Sequence, residues 1–205
     1  MQHPQLEELI ATLEQLRAPG GCAWDAEQTH ASLVRYLIEE TYELVDAIES
    51  GSDADMVEEL GDVLYQVIFH SSIAAAEGRF TLEDVATHMT AKMIGRHPHV
   101  FGDRVAKTAD DVVAMWDDLK RAEKPGRTSV LDGVPQGMPS LLLADKLLGK
   151  TSVAAPDVSF SSEEALGAHL LGLVAAARAQ GLDAERALRG ALRGLQDDIR
   201  AAESQ

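Results

Sequence analysis

The sequence predicts an all-α protein. Apolar residues form 45% of the chain and are mostly Ala and Leu, whereas aromatic residues form only 4%. Strands select aromatic and β-branched residues, so this composition favours packed helices. Apolar residues also recur with the 3.6-residue period of amphipathic helices, and Gly- or Pro-containing breaks separate these stretches. We therefore expect a helical bundle followed by a further helical region.

The apolar period places the helices along the chain. It predicts helices over residues 4–17, 29–50, 54–77, 82–96, 109–123, 140–149, 162–180 and 184–203. Thr81 and Asp84 resemble a capping box, and Thr108 is the expected N-cap of the fifth helix. Gly78 is the expected C′ residue of the third helix.

One Gly/Pro-rich segment divides the chain. It contains Pro125, Gly126, Gly133, Pro135, Gly137 and Pro139. Such a composition is typical of a linker. We therefore predict a first domain over residues 1–124, a linker over 125–139 and a C-terminal helical region over 140–205.

The charge balance limits the classes of partner. The formal net charge is −16, from 34 acidic and 18 basic residues, so the surface repels nucleic-acid backbones and we expect no stable nucleic-acid binding. Cys22 is the single cysteine, which excludes an intrachain disulfide. No apolar run reaches ~18 residues and no signal-peptide pattern opens the chain, so we expect a cytoplasmic protein without a membrane segment.

Two neighbouring helices carry paired acids. Glu40 and Glu43 are three residues apart on the second helix, as are Glu59 and Asp62 on the third, so each pair shares a helix face. In an antiparallel hairpin the pairs face each other, where mutual repulsion raises their pKa values unless cations bind. Oxygen ligands of this kind select Mg²⁺, Mn²⁺ or Ca²⁺.

A solvated acidic helix face would show the same spacing. Two features favour the metal site. The acids adjoin the apolar stripe of each helix, and no Lys or Arg occurs between Leu37 and Phe69 to form the ion pairs typical of a surface face.

Further segments accompany the acidic motifs. They are Gly21-Cys22-Ala23-Trp24-Asp25, Gln28-Thr29, Arg96-His97-Pro98-His99-Val100-Phe101, and the series Trp116, Lys120 and Glu123-Lys124. Together, and in this order, they resemble the MazG family of all-α nucleotide pyrophosphohydrolases, over about residues 5 to 140. Ala23 stands where the family pattern has Pro.

The resemblance implies a MazG-type helical bundle that acts as a homodimer or larger assembly. It implies Mg²⁺-dependent hydrolysis of NTPs or dNTPs to the monophosphate and pyrophosphate, with Mn²⁺ as a substitute metal and nucleotide-pool housecleaning as a role. The implied metal ligands are Glu40, Glu43, Glu59 and Asp62, and the implied phosphate contacts are Lys92, Arg96 and Lys120.

Catalytic roles follow as a hypothesis. Glu39 and Glu40 are candidate catalytic acids, and Glu39 is the candidate to orient or deprotonate the water that attacks the α–β linkage. Lys92 and Arg96, four residues apart, would neutralise the leaving group, although ordinary surface charge explains the same spacing. Trp24 and Trp116 would stack on a base, or else pack in the core.

The histidines at 97 and 99 are less persuasive as metal ligands. They are two residues apart and have no third ligand nearby in sequence, so we interpret them as structural.

The C-terminal region resembles a degenerate second MazG repeat. When 59–65 is aligned with 165–171, Ala165 and Ala168 stand at the positions of Glu59 and Asp62. A chance match between two Ala/Leu-rich helices is the alternative. If the repeat is real, this region is non-catalytic.

Two other functions remain open. A catalytically weak helical protein that binds a partner or regulates would keep the same fold. A related hydrolase would act on one narrow substrate such as dUTP. The sequence gives no basis for choosing a nucleobase.

Overall fold

The structure, a computed structural model, describes residues 3–123, 126–151 and 158–204. The regular secondary structure in these ranges is entirely helical, which confirms the predicted fold class. The helices are α1 (Pro4–Arg17), α2 (Ala23–Glu27), α3 (His30–Ser50), α4 (Asp53–Ala76), α5 (Leu82–Arg96), α6 (Pro98–Phe101), α7 (Ala109–Glu123), α8 (Ser140–Leu148), α9 (Glu163–Ala179) and α10 (Ala184–Glu203).

Every predicted helix is present, and each end lies within one residue of its predicted position. The structure adds α2 and α6, which the sequence did not predict. They have five and four residues, too few to show an apolar period. Pro98 disfavours helix at the residue before it, and α5 ends at Arg96; Pro98 itself occupies the first turn of α6, where its missing N–H costs nothing.

The predicted helix ends are confirmed. Thr81 and Asp84 exchange side-chain and backbone hydrogen bonds in a capping box. The Thr108 hydroxyl accepts a hydrogen bond from the Asp111 backbone N–H. Gly78 has a φ of 67°, the left-handed conformation that favours glycine after a helix.

The chain divides into two compact units, and the first is Met1–Ala114. Its core joins α1, α3 and α4 through Leu13, Leu33, Ile68, Phe69 and Ile73. Among the described helices, α3 and α4 make the most extensive pairing, and α1 and α5 also pack against α4. This pairing holds the two acid-bearing helices side by side.

The second unit is Met115–Gln205. Leu131 and Val134, from the segment predicted as a linker, are buried against α8 and α10. The Val130 N–H donates a hydrogen bond to Glu203 near the end of α10. This part of the Gly/Pro-rich segment is therefore packed into the unit, while Lys124 and Pro125, at the predicted boundary, lie outside the described residues.

One face of the α3–α4 hairpin is apolar and exposed in the single chain. Val34, Ile38, Val45 and Ile48 follow the apolar period of α3 in the sequence and are 40–56% exposed. Leu64 and Val67 of α4 are exposed as well. The buried residues of α3 are instead Leu33 and Ala47.

No single helix in the described ranges is long and apolar enough to cross a membrane. Helices α9 and α10 reach that length and composition only as a pair, bent by 104°.

Candidate active site

The hairpin of α3 and α4 positions the acidic side chains. Thr29 caps the start of α3, and Gly51 ends this helix with a φ of 74°. Ser52 then caps α4 by accepting a hydrogen bond from the Asp55 backbone N–H. Because only Gly51 and Ser52 join the helices, α3 and α4 run antiparallel, and residues at equal distances from this turn face each other.

Three of the four predicted metal ligands meet across this hairpin. One carboxylate oxygen from each of Glu40, Glu43 and Glu59 lies within 4.8 Å of the other two. The charge of Asp62, the fourth predicted ligand, raises the pKa values of both Glu40 and Glu59. Glu39, the predicted fifth acid, acts in the same way on Glu40.

Burial and mutual repulsion raise the pKa values of acids in this cluster. Burial, followed by the charge of Asp62, raises the pKa of Glu40 from 4.5 to about 7. Burial also raises the pKa of Glu59, with Glu43 and Asp62 adding to the shift. Each cause disfavours the ionised carboxylate, so a cation between the helices would stabilise the site.

One carboxylate oxygen of the cluster has no hydrogen-bond partner among the described residues. This atom, Oε2 of Glu59, is buried. Carboxylate oxygens that converge, with no ion pair to a basic side chain among the described residues, match the ligand set of Mg²⁺ or Mn²⁺. The residues present therefore fit the divalent metal that the sequence predicts.

The predicted phosphate contacts Lys92 and Arg96 lie on α5, which packs against α4. They are one helical turn apart and half-buried, so they form a basic strip on one face of α5. Their contact with a phosphate stays a prediction.

The two tryptophans differ in their surroundings. Trp24 on α2 is 50% exposed, and its ring meets the edge of Tyr36 at 5.7 Å. Tyr36 is one turn from Glu40 on α3, so Trp24 packs against the helical turn that precedes the acids. In the second unit, the ammonium of Lys120 lies 5.8 Å from the centre of the Trp116 ring.

The histidine pair keeps its structural interpretation. The Nδ1 atom of His97 lies 2.6 Å from the backbone carbonyl of Met93 on α5, and the rings of His97 and His99 are 5.5 Å apart. The acidic cluster that could hold a metal ion contains neither histidine.

Sequence reasoning missed Gln66. It lies on α4 four residues after Asp62, and its side chain is buried. The available signal was a polar residue within the apolar run Val63–Phe69, in helical register with Glu59 and Asp62.

Comparison with known proteins agrees with this geometry. The family model for the MazG nucleotide pyrophosphohydrolase domain matches residues 28–101, which contain the whole acidic cluster. The chain is 40% identical over 204 residues to the nucleoside triphosphate pyrophosphohydrolase of Mycobacterium tuberculosis, covering 97% of this chain and 58% of that protein. It is 47% identical over 142 residues to the nucleoside triphosphate pyrophosphohydrolase/pyrophosphatase MazG of Thermotoga maritima, covering 69% of this chain and 54% of that protein.

A further relative matches at nearly full length. It is the "uncharacterized 26.1 kDa protein in blaB 3′region" of Streptomyces cacaoi, 46% identical over 204 residues, covering 97% of this chain and 83% of that protein. Among solved structures, a MazG-related protein from Thermotoga maritima aligns with a TM-score of 0.49 and 23% identity, over 56% of this chain and 98% of that one.

Fold and site define a helical domain with a carboxylate cluster between two antiparallel helices. The chain belongs to the MazG family of nucleotide pyrophosphohydrolases. It spans between about half and three-fifths of the length of the Mycobacterium tuberculosis and Thermotoga maritima pyrophosphohydrolases described above.

Proposed function

We propose that this chain hydrolyses nucleoside triphosphates to the monophosphate and pyrophosphate, with Mg²⁺ held by Glu40, Glu43, Glu59 and Asp62. The acidic cluster between α3 and α4 carries the proposal, because its raised pKa values and the orphaned oxygen of Glu59 call for a cation. Relatives named nucleoside triphosphate pyrophosphohydrolase support the choice of substrate.

The acids and cations have separate roles in this reaction. Bound Mg²⁺ would act as a Lewis acid that polarises the phosphates, and it would lower the pKa of a bound water. Glu39 adjoins the cluster and orients or deprotonates the attacking water. Lys92 and Arg96, with Lys120, neutralise charge on the phosphates as pyrophosphate leaves.

Two aromatic side chains are candidates to bind the nucleobase. Trp24 presents half of its surface to solvent and contacts Tyr36, one turn before Glu40 on α3, so it is available to stack on a base. Trp116 is the second candidate to stack on a base, and its ring contacts the Lys120 ammonium in the second unit. Stacking accepts any base, which suits removal of unwanted nucleotides from the cytoplasmic pool.

A homodimer would cover the exposed apolar face of the α3–α4 hairpin. Soluble monomers rarely leave a contiguous apolar face of this kind in water. A second copy of the same chain offers an identical apolar face, as a two-fold interface requires. Sedimentation equilibrium tests this: the dimer mass is expected for the wild type, and Ile38→Glu should shift the mass toward the monomer.

The reaction is tested by a panel of NTPs and dNTPs with MgCl₂, with products separated by anion-exchange chromatography. We expect the monophosphate and pyrophosphate in equal amounts. Glu43→Gln should abolish their release, whereas Glu49→Gln, on the same helix but outside the cluster, should not. Release of the diphosphate and phosphate, or equal activity of both variants, contradicts the proposal. Absence of any turnover would favour a regulatory or partner-binding protein that retains the fold.

A further inference from the structure

Gln66 occupies the stretch of α4 between two contacts with α3. On one side, Glu59 meets Glu40 and Glu43 of α3. On the other side, one turn beyond Gln66, the Nδ1 atom of His70 lies 2.7 Å from the Nδ1 atom of His30 at the start of α3. Residues at these helical spacings share one face, so Gln66 also faces α3.

The side chain of Gln66 is buried but incompletely satisfied. Gln66 is only 6% exposed, and its Oε1 atom has no hydrogen-bond partner among the described residues. Buried polar atoms in native proteins nearly always have a partner, because an unsatisfied acceptor loses its water without compensation. The described part of the chain thus leaves two orphaned acceptors, Glu59 Oε2 and Gln66 Oε1, on one face of α4.

Helix geometry directs Gln66 toward the acidic cluster. Side chains lean toward the N-terminus of their helix, so Gln66 leans back toward Asp62 and the turn that joins the helices. Glu40 lies on the antiparallel α3, about three residues or 4.5 Å closer to this turn, and leans away from it. The amide of Gln66 and the carboxylate of Glu40 therefore approach the same level of the hairpin.

The acidic side chains in this direction act as acceptors once a cation is bound. Ionised around that cation, Glu40, Glu43 and Asp62 have no proton to give, so they cannot satisfy an amide oxygen. No described residue donates to Gln66 Oε1, so a bound water or ligand is the donor that we infer. Hydrated Mg²⁺ provides one, because this ion keeps several waters when carboxylates hold it, and the hydrogens of those waters point outward.

We propose that Gln66 is a positioning residue for the metal, with its amide oxygen accepting a hydrogen bond from a water in the hydration shell of the cation held by the acidic cluster. This inference rests on the proposed metal-dependent function and adds a residue to its site. Its consequence is that the neutral amide orients the hydrated cation without adding a fifth negative charge.

The test uses the full-length protein with Gln66→Met, which keeps the volume and removes the acceptor. Gln196→Met is the matched control, because Gln196 is 5% exposed, has an orphaned Nε2 and belongs to the second unit. Calorimetric titration with MnCl₂ or MgCl₂, without nucleotide, should show about 10-fold weaker binding for Gln66→Met and unchanged binding for Gln196→Met. Thermal unfolding without metal should not be lowered in Gln66→Met.

Two more variants keep the test decisive. Gln66→Glu retains an acceptor oxygen and should bind the metal at least as tightly as the wild type. If Gln66→Met does not fold, Gln66→Asn withdraws the oxygen by one methylene and should again weaken binding.

The outcomes separate this inference from the function on which it rests. Unchanged metal affinity in Gln66→Met, with wild-type binding and pyrophosphate release intact, overturns the role of Gln66 alone. The same holds if its affinity is unchanged and only KM rises, since a substrate hydroxyl would then be the donor. A wild type that binds no metal and releases no pyrophosphate overturns both.

Discussion

Helices α4 and α9 end in the same way but differ in what they carry. In both, a left-handed glycine follows the helix, Gly78 with a φ of 67° and Gly181 with a φ of 69°. In α4, the Arg79 N–H donates to the Ala74 carbonyl, and in α9 the Leu182 N–H donates to the Ala177 carbonyl. Both are Schellman motifs, each followed by a capped helix.

The difference lies in burial and charge. Helix α4 buries six residues, including Gln66, Ile68 and Phe69, whereas α9 buries none. Where α4 has Glu59 and Asp62, the aligned positions of α9 are alanine, at 165 and 168. Caps and apolar spacing thus specify where a helix begins and ends. The acids at these two positions are a separate feature, which α4 has and α9 lacks. That α9 descends from a second MazG repeat stays a prediction.

The largest effect should come from removing an acid of α4. Glu59→Gln should weaken metal binding and slow pyrophosphate release by at least about 100-fold. This effect should exceed that of losing a residue that contacts only the ligands or waters of the metal. The same change relieves repulsion in the cluster, so thermal stability without metal should rise. Glu164→Gln on α9 should leave both the metal affinity and the activity unchanged. A metal affinity that Glu59→Gln does not alter would remove Glu59 from the site.

Core truncations test whether the two units are energetically separate. Leu33 and Leu147 are fully buried, one in each core. Leu33→Ala and Leu147→Ala should each cost about 2–5 kcal/mol of unfolding free energy in their own unit. Only Leu33→Ala, which loosens α3 against α4, should also weaken metal binding. Equal loss of metal affinity in both variants would show that the second unit supports the site, and denaturant unfolding with metal titration measures both quantities.

The shared helix ends should respond alike to substitution. Gly78→Ala and Gly181→Ala place a side chain in the left-handed region, at a cost of about 1–2 kcal/mol each. Neither glycine has an atom within 4 Å of an added Cβ, so backbone strain is the main cost. Denaturant unfolding measures both losses of unfolding free energy. A much larger loss at one glycine than at the other would show that the two helix ends are not equivalent.

The smallest effect expected is a pH dependence confined to the first unit. Arg79 donates to the Nε2 atom of His30, which leaves the His30 proton on Nδ1 to be donated to the Nδ1 atom of His70. Burial, together with His30, lowers the pKa of His70 below 6.5. As the pH falls, His70 therefore takes up a proton at a higher pH in the unfolded chain than in the folded one. The stability that neutral His70 contributes is present above about pH 6.5 and is lost as the pH falls.

Thermal unfolding in chelator between pH 7.5 and 5.5 measures this dependence. Glu40 acts with the opposite sign, because its raised pKa makes the folded state more stable as the pH falls below about 7. The informative quantity is thus the difference between the wild type and His70→Gln, which should shrink with falling pH. His169→Gln in the second unit is the control, and an identical pH slope in all three proteins would exclude the histidine pair as the cause.

The sequence predicts the long helices well because their ends carry local signals. Thr81 with Asp84, and Gly78, act within one turn of the chain, so neighbouring residues suffice to place them. The meeting of Glu40, Glu43 and Glu59 was also predictable, since a two-residue connection forces α3 and α4 to run antiparallel. The family resemblance added the roles of these residues.

Other features depend on contacts that sequence spacing does not encode. The apolar stripe of α3 was predicted as a face, but its exposure in the single chain follows from Leu33 and Ala47 packing instead. The burial of Leu131 and Val134 in the predicted linker depends on α8 and α10, far along the chain. Gln66 was missed because one amide in an apolar run carries no signal until its partners are known.

Phosphorus NMR of a nucleoside triphosphate incubated with wild-type protein and with Glu40→Gln, each with MgCl₂ or with EDTA, tests the central claim most directly. The account predicts that resonances of the monophosphate and pyrophosphate grow only for the wild type with MgCl₂. Growth of diphosphate and phosphate resonances, or equal pyrophosphate from Glu40→Gln or in EDTA, would contradict it.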